Sequence, residues 1–450
     1  MILLKKIFSP SFFIISFLLF IYTFYKSEIY WDGNKKDYYF TYYLISLILI
    51  FLSIITFFIN HKLKEYLIII VISSIITLYL FEAYLIFKQQ ISKEQLSKKN
   101  QIKEQVIKEQ IYENKTGKKF DKRSKLEILK DLREINNKIQ VPVSPYNYIN
   151  KNKTIFPLSG ISNSKTIFCN ENGYYAIYQS DRYGFNNPDD NWDANEVEYL
   201  LVGDSFTHGA CVNTPNDIGS VLRNLSKKSV LNLGYSGNGP LIEFATLREY
   251  MSSNVKKVLW IYFEDNDLSG LHNEMADKIL MKYYDDVTFT QNLKLKQKEI
   301  DYLAVNSING EKSKKRQSGR EKENGILGIE LINFIKITNL RVLIYPPPEL
   351  TIRLKKILKL TKKLVNKNNS KLYFIYLPGY ARYKTNYDDT SYNLIKDIVN
   401  QLDIPFVDIP QEVFKKEKNP LNLFPFKMNG HYTSEGYKKV SETIYKFTKD

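Results

Sequence analysis

Apolar and polar positions are distributed unevenly along the 450 residues. Near the start, apolar and aromatic side chains crowd into three runs, 7–25, 38–60 and 66–87. Each comes close to or exceeds the ~20 residues a helix needs to cross the hydrocarbon core of a bilayer. A cleaved signal peptide would account for the first run alone, but no small-residue cleavage site follows it and two more runs come after, so the pattern predicts three membrane spans. Glu82 is the only charge inside the runs. Close to the end of the third, it is expected to reach the interface.

The pattern then turns polar. Ile91, Ile102, Val106, Ile107 and Ile111 recur at helical spacing among Lys, Glu and Gln, which predicts a helical stalk over 89–140. A second helix in that stalk is announced by Ser124 with Glu127 three residues on, a capping-box pair, followed by Leu126, Leu129, Leu132 and Ile135, with Pro142 and Pro145 beyond its end. Residues 141–196, rich in Asn, Gly and Tyr, read as a lead-in segment with short strand-like pieces such as KTIFCN. From 197 to 450 the period changes again, to short apolar strands alternating with helical stretches: EYLLVGDS, SVLNLGYSG, KVLWIYFEDND, KLYFIYLPGY and IPFVDI. Strands this apolar imply a parallel sheet covered on both faces. The stretch from Ile326 to Pro348 fits either a long helix or an extra edge strand, and the basic insert at 310–324 reads as a disordered surface loop.

Charge changes this picture little. The formal charge of +16, from 64 Lys and Arg against 48 Asp and Glu, is spread over single lysines on polar helical stretches, as on a solvated basic surface. No nucleic-acid-binding pattern accompanies it, and no nucleic-acid partner is expected. The two cysteines, Cys169 and Cys211, are too few for a disulfide scaffold and lack zinc-site spacing, which leaves the redox compartment open. Cys211 is expected to pack against the sheet. No metal or cofactor is implied.

In a parallel sheet, ligands bind beyond the carboxyl ends of the strands. The polar residues at those ends are Ser205, then Gly237 with Asn238, then Asn266 with Asp267, and later His431. An ester carbonyl under attack needs a nucleophile, a base for its proton and donors for the developing oxyanion. Ser205 can supply the hydroxyl from the turn after the first strand, although a serine that only caps a helix fits the same position. Its backbone N–H, that of Gly237 and the Asn266 side-chain amide are three candidate donors, and His431 stands in a loop from which an imidazole can reach back. Asp204 and His208 complete the expected pocket, His208 at its mouth on the helix that Ser205 begins. His61 and His272 have no partner pattern.

GDSF, NLGYSGNGP, FEDND and GHYTSEGY resemble, in order, the successive blocks of the SGNH/GDSL hydrolase superfamily over roughly residues 197–446. The resemblance implies a flavodoxin-like three-layer α/β/α domain, preceded here by the three transmembrane helices and the stalk, with Ser205 as nucleophile and His431 as base. It also implies an oxyanion hole from Ser205, Gly237 and Asn266. One position departs from the pattern: members of the superfamily usually carry an Asp two or three residues before the histidine, and this chain has Asn429 and Met428. Asp408, at the end of the last strand, is the candidate replacement, with Asn429 or a backbone carbonyl as lesser support.

The expected activity is that of a membrane-anchored serine esterase removing an acyl group, for instance acetyl, from a carbohydrate or lipid. An O-acyltransferase acting on an envelope polysaccharide, and a catalytically weak binding module that kept the fold, are the alternatives. The lysine distribution around the spans leans slightly towards a cytoplasmic C-terminal domain. Reading the first span as N-in, as in envelope-modifying relatives, puts that domain on the outer face of a bacterial inner membrane, and this is the expectation adopted.

Overall fold

The computed structural model describes residues 2–30, 36–149, 151, 153–317, 334–338, 340–341, 350–384 and 387–449. They form two compact units, one of residues 1–99 with 318–349 and one of 100–317 with 350–450.

The first unit holds α1 (Ile2–Phe24), α2 (Lys36–Phe58) and the apolar half of α3 (His61–Thr116). Three stretches, Lys6–Tyr30, Tyr38–Phe58 and His61–Phe87, are long and apolar enough to span a membrane. Small hydroxyl side chains line their mutual contacts: Ser9, Ser46, Ser53 and Thr56 are buried, and Ser9 Oγ donates to the Thr56 carbonyl oxygen at 3.0 Å. Small residues at such contacts let helix backbones approach closely. The third apolar stretch and the first part of the stalk, as far as Thr116, are one helix, because no Gly or Pro interrupts the residues between 61 and 116. Glu82 is fully buried, and its carboxylate accepts the backbone N–H of Leu340 at 2.8 Å. The side chain is thus held inside the unit by a donor 258 residues away.

In the second unit, α4 (Lys125–Ile135) begins with the full capping box of Ser124 and Glu127 and ends well before the prolines. A two-stranded antiparallel hairpin follows, β1 (Lys165–Ile167) and β2 (Ile177–Gln179). The main sheet has five parallel strands in the order β4 (Val230–Asn232), β3 (Val197–Gly203), β5 (Val255–Phe263), β6 (Lys371–Leu377) and β7 (Phe406–Asp408). These are the five expected strands, in the flavodoxin-like order in which the second strand of the sheet lies outside the first.

Successive side chains of one strand go to opposite faces. Leu200 and Val202 join one apolar core with Trp260, Phe374 and Leu241, Ile242 and Phe244 of α7 (Pro240–Tyr250). Tyr199 and Leu201 join the other with Ile261, Ile375, Leu222 of α6 (Ile218–Ser226) and Val440 and Ile444 of the last helix, Ser434–Thr448. The hairpin and lead-in residues pack into the first of these cores through Phe156, Leu158, Ile167 and Phe185. The basic insert departs from expectation in its first half, where a helix (Gln297–Gln317) continues to Gln317. The rest of that insert and most of 326–348 lie outside the described residues, but Phe334–Thr338 are short helical and turn pieces rather than a strand.

Candidate active site

The sheet order sets β4, β3 and β5 side by side, so the three turns at their carboxyl ends are neighbours. Ser205 opens the short helix α5 (Ser205–His208) directly after β3, with Asp204 as its N-cap accepting the Phe206 N–H at 2.9 Å. At the first position of a helix the Ser205 N–H has no partner within the helix. Gly237, in the turn after β4, has φ +83°, and a Cβ there would lie 2.5 Å from Ser144 Oγ, so the turn needs glycine. Asn266 follows β5, and its side-chain amide donates to Asp204 Oδ2 at 3.2 Å. One of its two amide hydrogens is thus held by Asp204, which fixes the plane in which the other can donate.

His431 enters from the loop before the last helix. Its Nε2 lies 2.8 Å from Ser205 Oγ, and its Nδ1 lies 3.0 Å from Oε1 of Glu171. The other carboxylate oxygen of Glu171 accepts the His431 backbone N–H at 2.6 Å. With Nδ1–H facing a carboxylate, the proton-free nitrogen is Nε2, which faces the serine hydroxyl. Burial lowers the His431 pKa, but the charge of Glu171 and its hydrogen bond outweigh that and hold it above the usual histidine value. Burial raises the Glu171 carboxyl, yet the charge and hydrogen bonds of His431 bring it net below its ordinary range. Both shifts have the same main opposing cause to burial, the contact between the Glu171 carboxylate and the His431 ring.

Glu171 is the residue that sequence reasoning missed. It sits between β1 and β2, 260 residues before the histidine it orients, where no spacing rule points to it. That tip is tied down on both sides. Cys169 forms a disulfide with Cys211, Asn172 Nδ2 donates to the Cys211 carbonyl at 2.8 Å, and Asn170 Nδ2 donates to the Asp121 carbonyl at 2.8 Å. The expected packing of Cys211 against the sheet is thus corrected, since it is buried among Phe168, Tyr178 and Ala210 at the hairpin. The sulfur of Cys211, the carboxylate of Glu171 and His431 stand close enough together to hold a metal, but the disulfide occupies that sulfur.

Four other expectations change. Asp408 is not beside the histidine: it binds the Tyr392 hydroxyl and Lys396 Nζ and caps a short helix at Gln411 N. Asn429 is exposed in the turn before His431, with the acid's place already filled by Glu171. His208 is on the expected helix but fully buried, its ring packed on Phe168 and Tyr235 and its Nδ1 accepting the Ser236 N–H at 3.3 Å. Burial pulls its pKa down to about 3, so it is a neutral core residue and not part of the pocket mouth. Asp267 is also fully buried, accepting the Phe263 N–H, and burial with the nearby charges of Glu243 and Asp204 drives its pKa far up. Asn238 is buried beside Gly237, with neither amide atom hydrogen-bonded among the described residues.

No known family profile matches the chain, and no curated protein does. Among solved structures it is similar to a protein of Desulfitobacterium hafniense ascribed to the G-D-S-L lipolytic family, with 13% identity, 56% of this chain and 99% of that one covered, and a TM-score of 0.31. It is also similar to an acetyl xylan esterase, with 11% identity, 56% and 98% covered, and a TM-score of 0.31. An acetylxylan esterase of Geobacillus stearothermophilus gives 12% identity, 57% and 96% covered, and a TM-score of 0.30. With Ser205 Oγ 2.8 Å from His431 Nε2, and with Gly237 and Asn266 in the turns after the neighbouring strands β4 and β5, the second unit has the arrangement that its resemblance to the SGNH hydrolase superfamily implies.

Proposed function

We propose that the protein is a membrane-anchored serine esterase that removes an acyl group, for instance acetyl, from a carbohydrate or lipid. The observation that carries this reading is the unbroken line of hydrogen bonds from Ser205 Oγ through His431 to Glu171. Ser205 Oγ attacks the acyl carbon while His431 Nε2 takes its proton. The oxyanion that forms is met by the Ser205 and Gly237 N–H groups and the Asn266 amide. Collapse breaks the bond to the alcohol oxygen, which leaves with the proton from His431, and an acyl-Ser205 remains. A water then gives its proton to Nε2 and attacks the acyl carbon; the bond to Ser205 Oγ breaks, Oγ takes that proton back from Nε2, and the acid leaves. Glu171 keeps its charge throughout and stabilises the imidazolium.

The reading of the chain as a binding module drew its support from the missing local acid, and Glu171 removes that support. The disulfide favours an oxidising compartment, and so an extracytoplasmic position for the α/β unit. There the acyl esters within reach would be those of envelope glycans or lipids.

Full-length protein in detergent is expected to hydrolyse a short-chain aryl ester, and Ser205→Ala to abolish this while leaving thermal unfolding unchanged. Equal activity of the two proteins would reduce Ser205 to a helix cap and end the esterase reading.

A further inference from the structure

Residues 318–349 interrupt the α/β unit in sequence, between the helix Gln297–Gln317 and the helix Leu350–Lys367, yet they belong to the unit of apolar helices. Their described part lies against the third apolar helix. The Tyr79 hydroxyl donates to the Ile335 carbonyl at 2.9 Å, and the Tyr79 ring packs on Phe334 with centroids 5.2 Å apart. Glu82, fully buried, accepts the Leu340 N–H. Tyr79 and Glu82 are three apart, on one face of the helix.

A carboxylate within an apolar span is costly unless it meets a donor, and backbone polar groups at membrane depth must likewise be paired inside the protein. The Glu82 contact answers both demands at once. The sequence of the inserted stretch suits that place: Ile326, Leu327, Ile329, Leu331, Ile332, Phe334, Ile335 and Ile337 precede the contact, and Val342, Leu343 and Ile344 follow it. Glu330, Lys336 and Arg341 recur among them, too many charges for a further span but normal for a segment at a bilayer interface. Long basic side chains there keep their charges in the headgroup layer.

We infer that the stretch around Phe334–Arg341 is a second membrane attachment of the α/β unit, docked on the Tyr79–Glu82 face of the third span and bathed on its other side by lipid. This rests on reading the three apolar helices as membrane spans. The α/β unit is then held to the membrane at both its stalk and this inserted strap, and loss of the stalk connection alone does not free it.

The test uses the full chain in its native membranes, with a flexible protease site inserted between Lys99 and Asn100, at the boundary of the two units. After cleavage and a high-salt wash, the fragment from 100 onward is expected to stay in the membrane pellet. It is expected to appear in the supernatant when residues 318–349 are replaced by a short Gly-Ser linker, with ester hydrolysis showing that the linker variant is folded. Release with the strap intact overturns the inference, as does retention in the linker variant. A chain found in the supernatant before any cleavage overturns the membrane-span reading instead, and the strap with it.

Discussion

Glu171 and His431 set each other's charge, and the pH dependence of the reaction follows. The base must be neutral to take the Ser205 proton, and Glu171 holds the His431 pKa above the usual histidine value. Hydrolysis should therefore rise with pH through a midpoint above about 6.5. In Glu171→Gln the negative charge is gone and burial dominates, so that midpoint should move to lower pH. The amide also misplaces the Nδ1 proton, and kcat should fall by up to about 10⁴-fold. A pH profile of kcat/KM for both proteins checks the two effects together. Under the proposed role of Asn266, in which its second amide hydrogen serves the oxyanion rather than the neutral ester, Asn266→Ala should lower kcat by about 10²–10³ with little change in KM. Asn429→Asp should leave the rate unchanged, since the Nδ1 position is already taken. Ser205, Gly237, Asn266 and His431 are candidates that the sequence itself offers, because each sits where a strand or helix boundary puts it. Glu171 was not, because its role exists only through tertiary contact. Its one sequence signal was the pair of cysteines, Cys169 two residues before it and Cys211 six after Ser205, which if joined bring the two sites together.

In the proposed reading the hairpin β1–β2 is an arm of the active site. Its tip carries Glu171, and the Cys169–Cys211 disulfide ties that tip to the turn after α5, the helix that Ser205 opens. Reduction, or Cys169→Ser with Cys211→Ser, should loosen Glu171 and lower kcat while leaving KM and the far-ultraviolet circular dichroism of the sheet unchanged. Activity independent of dithiothreitol would show that the asparagine contacts to Cys211 and Asp121 suffice to hold the tip. The sequence pattern foretold the five strands and the Ser124–Glu127 cap, since burial on both faces and capping are local properties. It missed how the lead-in serves the site. A three-residue strand carries too little pattern to show which surface it will meet.

At the scale of the whole molecule, the chain divides its work between an apolar helical unit and an α/β unit, with residues 318–349 contributed by the second part of the sequence to the first unit. If the α/β unit lies outside the cytoplasm, as proposed, a reporter fused after Asp450 that fluoresces only in the cytoplasm should stay dark. Bright fluorescence of the intact fusion would put the esterase against precursors inside the cell. The most direct measurement for the account as a whole is covalent. Full-length protein exposed to a fluorophosphonate, digested and analysed by mass spectrometry should carry one label, on the peptide containing Ser205, formed far more slowly in Glu171→Gln and not at all in His431→Ala. An unlabelled protein, a label on any other residue, or a labelling rate indifferent to Glu171 would contradict the Ser205–His431–Glu171 assignment.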